Sequence, residues 1–284
     1  MTTVAPSDTF SIGGDLPVHR LGYGAMQLPG PGVWGEPADP DNARRVVRAA
    51  VEQGVDFIDT ADSYGPEVSE RLIAEALHPY PEGLVIATKA GLTRQGPGIW
   101  TPVGRPAYLK QQVELSLRRL ELERIDLIQL HRIDAEVPLA DQLGAFRELQ
   151  DEGKVRHIGV SEVSVAELEQ VREIVDVVSV QNLYNLTNRQ SQDVLDFATE
   201  NGIAFIPWFP IATGDLAAPH SPVAEVAREL DATPAQVALA WLLQKSPVVL
   251  PIPGTKSAEH LTENMGAARL TLSDEDMARL DALA

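Results

Sequence analysis

The sequence predicts an α/β protein: a (β/α)8 TIM barrel with an N-terminal β-hairpin and extra C-terminal helices. Three observations carry that reading. Short apolar runs alternate with amphipathic stretches eight times along the chain. The runs are almost continuously apolar, as strands covered on both faces must be. No Gly-x-Gly-x-x-Gly opens a helix after the first run, so the competing open, doubly wound sheet lacks its dinucleotide signature. The chain has 284 residues, and such a barrel needs about 250. No linker or low-complexity segment divides it, so residues 1–284 are read as one domain.

Each element has its own signal. Residues 10–18 form a hairpin about Gly13-Gly14, and 20–23 are strand one. Residues 41–53 form a helix that Asp41 can cap, with Val46, Val47, Ala50 and Val51 on its apolar face. Strand two is 55–58, with helix 67–77. Strand three is 84–88, with helix 106–120, where Pro106 suits the first turn. Strands four, five and six are 126–130, 155–160 and 177–181, with helices near 139–152, 165–175 and 189–201. Strand seven is 203–207, followed by helices 223–230 and 234–244. Strand eight is 248–251, with helix 258–268. A last helix, 273–283, opens on the capping pattern Ser273-Asp274-Glu275-Asp276. The long stretches 29–40 and 91–105 read as irregular loops on the C-terminal face of the barrel.

Composition narrows the function classes. The net charge is −18, from 41 acidic and 23 basic residues, which disfavours nucleic acid and anionic membrane as partners. There are no cysteines, so thiolate catalysis and Cys-based metal sites are excluded. Residues 1–10 lack the basic and apolar regions of a signal leader, and no apolar run approaches the ~20 residues of a membrane span. The expectation is a cytoplasmic protein, a monomer or weak homo-oligomer.

The chemistry sits at strand ends. Asp59 and Tyr64 follow strand two, Lys89 ends strand three and His131 ends strand four. An acid, a phenol, an amine and an imidazole at one barrel mouth point to proton transfer. Tyr64 can give a proton to a carbonyl oxygen. A phenol with a pKa near ~10 is a poor donor at neutral pH, and a neighbouring ammonium, Lys89, lowers that value. Asp59 can pair with Lys89, and His131 can hydrogen-bond the carbonyl. None of these groups supplies hydride, so a cofactor must. Singly, each has an ordinary structural reading: a turn acid, a strand-end cation, a core histidine. No His-Glu-x-x-His or second histidine at ligand spacing supports a metal, and none is assigned.

The segment Phe57-Ile58-Asp59-Thr60-Ala61-Asp62-Ser63-Tyr64-Gly65, with Thr88-Lys89 and Leu130-His131, resembles the aldo-keto reductase family over about residues 20–264. The resemblance implies NADPH bound in extended form, without a Rossmann domain. It implies that Ser161 and Gln181 hold a carboxamide and that Trp208 stacks on the nicotinamide. Glu162 stands where the family usually has asparagine. Gly24, Ala25 and Met26 match a loop that contacts the cofactor, beside Asp59. The stretch from Gly254, Thr255 and Lys256 through His260 to Glu263 and Asn264 matches the adenosine 2′-phosphate site, built on a glycine turn and a helix N-terminus. His260 stands where the family often has arginine, which narrows the preference for NADPH over NADH.

Substrate choice falls to loops over the mouth, where Trp34 and Trp100 are candidate walls of a pocket for a small-molecule carbonyl substrate. Residues 21–28, 181–185 and 238–244 resemble a bacterial subgroup that includes pyridoxal reductases, which implies an aromatic aldehyde such as pyridoxal. That subgroup does not always keep the histidine; this chain does. Two other classes stay open at this stage: an NADPH-binding regulatory subunit with vestigial reductase activity, and a metal-assisted hydrolase or lyase.

Overall fold

The computed structural model describes residues 8–211 and 221–283. Most of the 1–10 stretch therefore lies outside the described residues. In chain order the elements are β1 (Thr9–Ile12), β2 (Leu16–His19), β3 (Tyr23–Gly24), α1 (Pro40–Glu52), β4 (Phe57–Asp59), α2 (Val68–Leu77), β5 (Val85–Ala90), β6 (Leu92–Gly96), β7 (Ile99–Pro102), α3 (Pro106–Leu120) and β8 (Ile125–Leu130). There follow α4 (Leu139–Asp151), β9 (Val155–Ser161), α5 (Val165–Ile174), β10 (Val177–Gln181), α6 (Gln192–Asn201), β11 (Ala204–Phe205), α7 (Pro222–Glu229), α8 (Pro234–Lys245), α9 (Ala258–Gly266) and α10 (Asp274–Asp281).

Seven parallel strands run in the order β3-β4-β5-β8-β9-β10-β11. The expected eighth strand closes the ring without regular pairing. Phe205 N–H donates to Val248 O and Leu250 N–H to Phe205 O, both at 2.8 Å. On the other side Gly22 N–H donates to Pro251 O (3.0 Å) and Gly24 N–H to Pro253 O (3.3 Å). Pro251 and Pro253 have no N–H to return, so the ladder is one-sided there. The result is a (β/α)8 barrel whose last seam is held by carbonyls.

The twofold period of the strands sorts their side chains. Ile58, Ile86, Ile128, Val160 and Val180 face outward into the helix layer. Phe57, Val85, Ala87 and Leu127 face inward and pack with Ile12, Leu16 and Val18 of the β1–β2 hairpin, which plugs one end. Continuing the inward rows to the other end brings up Asp59, Lys89, Gln129 and Gln181. The same alternation that fills the core thus delivers polar groups to the mouth.

Two expectations need correction. Asp39, not Asp41, caps α1: its Oδ1 accepts from Asn42 N–H at 2.8 Å, and Pro40 takes the first turn. The 91–105 stretch is not irregular; it holds the antiparallel hairpin β6–β7, turning at Pro97-Gly98. The helix caps at Ser164, Thr233 and Ser273 are all reciprocal capping boxes.

Candidate active site

Asp59 ends β4, Lys89 lies one residue before the end of β5, and His131 follows β8 directly. Tyr64 sits on the turn after Asp59, where Thr60 and Asp62 N–H groups donate to Ala87 and Lys89 carbonyls (2.8 and 3.1 Å). Those two bonds pin the turn to β5 and aim the phenol at Lys89. Lys89 Nζ donates to Asp59 Oδ2 at 2.6 Å, to Thr60 O at 2.8 Å and to Tyr64 Oη at 3.3 Å. All three ammonium hydrogens are used, and the side chain is fully buried. Asp59 Oδ1 accepts from Gln129 Nε2 (3.1 Å) and Gln181 Nε2 (2.8 Å).

The electrostatics follow from burial against pairing. Burial is the strongest single influence on Lys89 and pulls its pKa down. The Asp59 charge, the Tyr64 oxygen and the hydrogen bonds to both together outweigh it, and the Lys89 pKa lies above the ordinary lysine value. For Tyr64 the order is reversed: burial raises its pKa, the Lys89 charge pulls it down, and the net direction is up. The expected net lowering by Lys89 is therefore not reached. The phenol stays protonated at neutral pH, which is the form a proton donor needs. His131 is pushed well below the ordinary histidine value by burial first, then by Lys89, Arg132 and Arg94. It is a neutral imidazole, with Nδ1 3.2 Å from Ser63 Oγ. A Ser63 hydroxyl donating to Nδ1 leaves Nε2–H as a donor.

Asp59, Tyr64 and His131 open on a cavity of about 690 Å3, with Lys89 behind them. Of the sequence-predicted residues, Gly24, Met26, Asp59, Tyr64, Trp100, His131, Ser161, Gln181, Trp208 and Gly254 line it. Gln181 gives its N–H to Asp59, so its carbonyl oxygen is left to accept, beside the Ser161 hydroxyl. That pairing of acceptor and hydroxyl fits a carboxamide. Gly24 and Gly254 are forced by contact: a Cβ on Gly24 would lie 2.5 Å from Ile252 O, and one on Gly254 would lie 2.6 Å from Gly24 O. Their backbones form one wall of the cavity.

The other predicted residues lie outside the lining. Trp34 stands behind it, with the Arg94 guanidinium 5.7 Å from its ring. Ala25 is buried in the core against α1 and α2. Thr255 Oγ1 accepts from Ser257 N–H (3.0 Å), and Ser257 caps α9 by accepting from His260 N–H (3.2 Å). Lys256 is exposed, its Nζ donating to Pro29 O at 3.2 Å, and His260 is exposed on the first turn of α9. Asn264 is buried, while the Glu263 carbonyl accepts from Gln236 Nε2 (2.8 Å). Thr255, Lys256 and His260 thus group around the α9 N-terminus, next in the chain to Gly254, while Glu263 and Asn264 lie further along α9.

Four residues were not singled out from the sequence. Gln129 lies two positions before His131 on the inward face, so the twofold period points to it. Arg132 lines the cavity; its Nη1 donates to His131 O (2.7 Å) and Ser161 Oγ (3.1 Å). Arg94, on β6, donates to the carbonyls of Gly32, Val33, Ser63, Gly96 and Ile99, and stacks 3.5 Å from the Trp100 ring centroid. Ser63 orients His131. No sequence pattern marks Arg94 or Ser63; only the tertiary contacts do. Glu162, the departure from the family pattern, has φ 56°. Its Oε1 accepts from Trp208 Nε1 (2.6 Å) and Leu183 N–H (2.7 Å), so it braces the tryptophan.

The model of the Aldo/keto reductase family matches residues 20–284. The chain belongs to the aldo-keto reductases. As such it is an NAD(P)H-dependent carbonyl-reducing enzyme. An uncharacterized oxidoreductase of Schizosaccharomyces pombe is 50% identical over 268 residues, covering 94% of this chain and 87% of its own. Pyridoxine 4-dehydrogenase of Escherichia coli is 44% identical over 283 residues, covering 98% of both. The solved structure of a Klebsiella pneumoniae aldo-keto reductase in complex with NADPH superposes with a TM-score of 0.84 at 27% identity, over 98% of this chain and 95% of that one. Among the described residues no helix is long and apolar enough to cross a membrane.

Proposed function

We propose that this aldo-keto reductase uses NADPH to reduce an aromatic aldehyde of the pyridoxal kind, with Tyr64 as the proton donor. The observation that carries the reading is the buried row Asp59–Lys89–Tyr64, held at 2.6 and 3.3 Å on the cavity floor beside His131. NADPH, when bound, supplies the hydride. Ser161 and Gln181 would hold its carboxamide, Trp208 would pack against its nicotinamide, and Gly24 and Gly254 would let backbone come close to it. Lys256 and the α9 N-terminus take the 2′-phosphate.

The chain's own residues do the rest. Tyr64 and His131 Nε2–H both donate to the substrate carbonyl oxygen, which fixes the carbonyl carbon toward the hydride side. Negative charge would build on that oxygen during reduction, and the Lys89 ammonium behind Tyr64 is placed to stabilise it through the phenol. A developing alkoxide is basic enough to take the proton even from a phenol whose pKa is raised. Lys89 then faces a phenolate it is placed to stabilise. Trp100 forms the aromatic wall: its ring meets Tyr64 at 6.2 Å and His131 at 6.3 Å, edge to face. The similarity to pyridoxine 4-dehydrogenase supports a pyridoxal-like substrate.

The test is a panel of aldehydes and ketones, pyridoxal included, followed by loss of NADPH absorbance. Turnover of aromatic aldehydes well above short aliphatic ones is expected. NADPH binding with no turnover of any carbonyl would overturn the proposal.

A further inference from the structure

Lys89 and two arginines supply the positive charge at the barrel mouth, and their situations differ. Lys89 is neutralised by Asp59. Arg94 gives its donors to five backbone carbonyls and its face to Trp100, so it has nothing left to offer a ligand. Arg132 is the exception. It lines the cavity and is partly buried, and burial lowers its pKa. Only Nη1 is engaged, by two neutral acceptors, His131 O and Ser161 Oγ. Among the described residues it forms no ion pair. Glu162 acts on it through space, but that carboxylate accepts from Trp208 Nε1 and Leu183 N–H instead.

A partly buried guanidinium in a ligand cavity, without a bonded counter-charge, is a costly arrangement for the free protein. The cost is recovered when a ligand brings the missing anion, because a charge-assisted bond in a drying cavity is among the stronger polar contacts. The chain as a whole carries −18, so general attraction of anions is not the explanation. We infer that Arg132 receives an anionic oxygen on the substrate, a carboxylate or ionised phenol set apart from the reacting carbonyl. The preferred substrates are then aromatic aldehydes that carry such a group. This rests on the cavity being the carbonyl site, and it names the substrate class that the reductase reading leaves open.

The full-length protein, saturated with NADP+, is titrated by tryptophan fluorescence with 4-(hydroxymethyl)benzoate and with 4-methylbenzyl alcohol. These match the products of an anionic and a neutral aldehyde. The carboxylate is expected to bind about tenfold tighter or more, a margin typical of one charge-assisted contact. Arg132→Met removes that preference, and Arg132→Lys keeps part of it. In parallel, the kcat/KM ratio of 4-carboxybenzaldehyde over 4-methylbenzaldehyde falls about tenfold in Arg132→Met. Equal binding of the two alcohols by the unaltered protein overturns the inference. So does an anion preference that survives Arg132→Met, or an Arg132→Met effect on NADP+ affinity alone. If no aldehyde is reduced at all, the reductase reading fails, but the alcohol titrations still decide Arg132.

Discussion

Lys89→Met tests whether the buried ion pair is a matched unit. The substitution keeps most of the side-chain volume and deletes the ammonium 2.6 Å from Asp59 Oδ2. Asp59 is left almost fully buried, with two amide donors, Gln129 and Gln181, and no counter-charge. Breaking such a pair from one side costs about 3–5 kcal/mol. At about 2–4 °C per kcal/mol for a chain of this size, the melting temperature should fall by roughly 6–20 °C. Activity should fall further than stability explains. Tyr64 loses the charge that opposes its burial, and transition-state support of this kind contributes about 10²–10⁴-fold. The companion variant is Asp59→Asn combined with Lys89→Met. It removes both charges, and replacing a whole buried pair is often close to neutral. Calorimetry of these two variants, of Asp59→Asn alone and of the unaltered protein should show the double variant recovering most of the lost stability, while NADPH-coupled turnover stays low. Additive stability losses would refute the matched-pair argument, because they mean that each group is held by something other than its partner.

Two further perturbations follow from the geometry. Arg94→Met frees the β6–β7 hairpin from the carbonyls of Val33 and Ser63; amide exchange across 92–102 should quicken, and KM should rise about tenfold more for a benzaldehyde than for a short aliphatic aldehyde. A uniform change across substrates would show that Trp100 is not the wall. Asp62 is buried with only weak support from the neighbouring Ser63; burial, then Glu70, raises its pKa well above the ordinary aspartate value. Between pH 3.8 and that raised value the folded protein binds the extra proton, so Asp62 destabilises progressively as pH rises through its folded pKa. The stability difference between Asp62→Asn and the unaltered protein should grow as pH rises from about 4, by up to about 1.4 kcal/mol per unit, until the folded pKa is passed, and a difference that does not change with pH would contradict it.

The barrel was legible because its strands bury both faces and so read as apolar runs. Eight β–α repeats specify the topology without reference to any tertiary contact. Helix α3, from Pro106 to Leu120, fell where its proline start placed it. Boundaries slipped where side chains gave no warning. Residues 248–251 are apolar like the other strands, but neighbouring prolines remove the donors a regular ladder needs. Asp41 reads as the cap of α1, but Pro40 takes the first turn and puts Asp39 in the capping position instead. At the mouth, Asp59, Lys89, Gln181 and Ser161 come together because the twofold period faces them all inward. Trp34 and Trp100 looked alike in the sequence. Only the hairpin, with Arg94 stacked on one ring, brings Trp100 to the cavity and leaves Trp34 behind it. The sign of the Tyr64 shift was also out of reach, since it depends on burial winning over a neighbour the sequence does reveal.

The central claim is that the Tyr64 hydroxyl delivers the proton. The most direct measurement compares Tyr64→Phe with the unaltered protein, using single-turnover NADPH oxidation by an aromatic aldehyde together with NADPH titration by Trp208 fluorescence. Loss of the hydroxyl should cut the hydride-transfer rate by about 10²–10⁴-fold while NADPH affinity stays within a factor of about three. Hydride transfer at the unaltered rate in Tyr64→Phe would contradict the account.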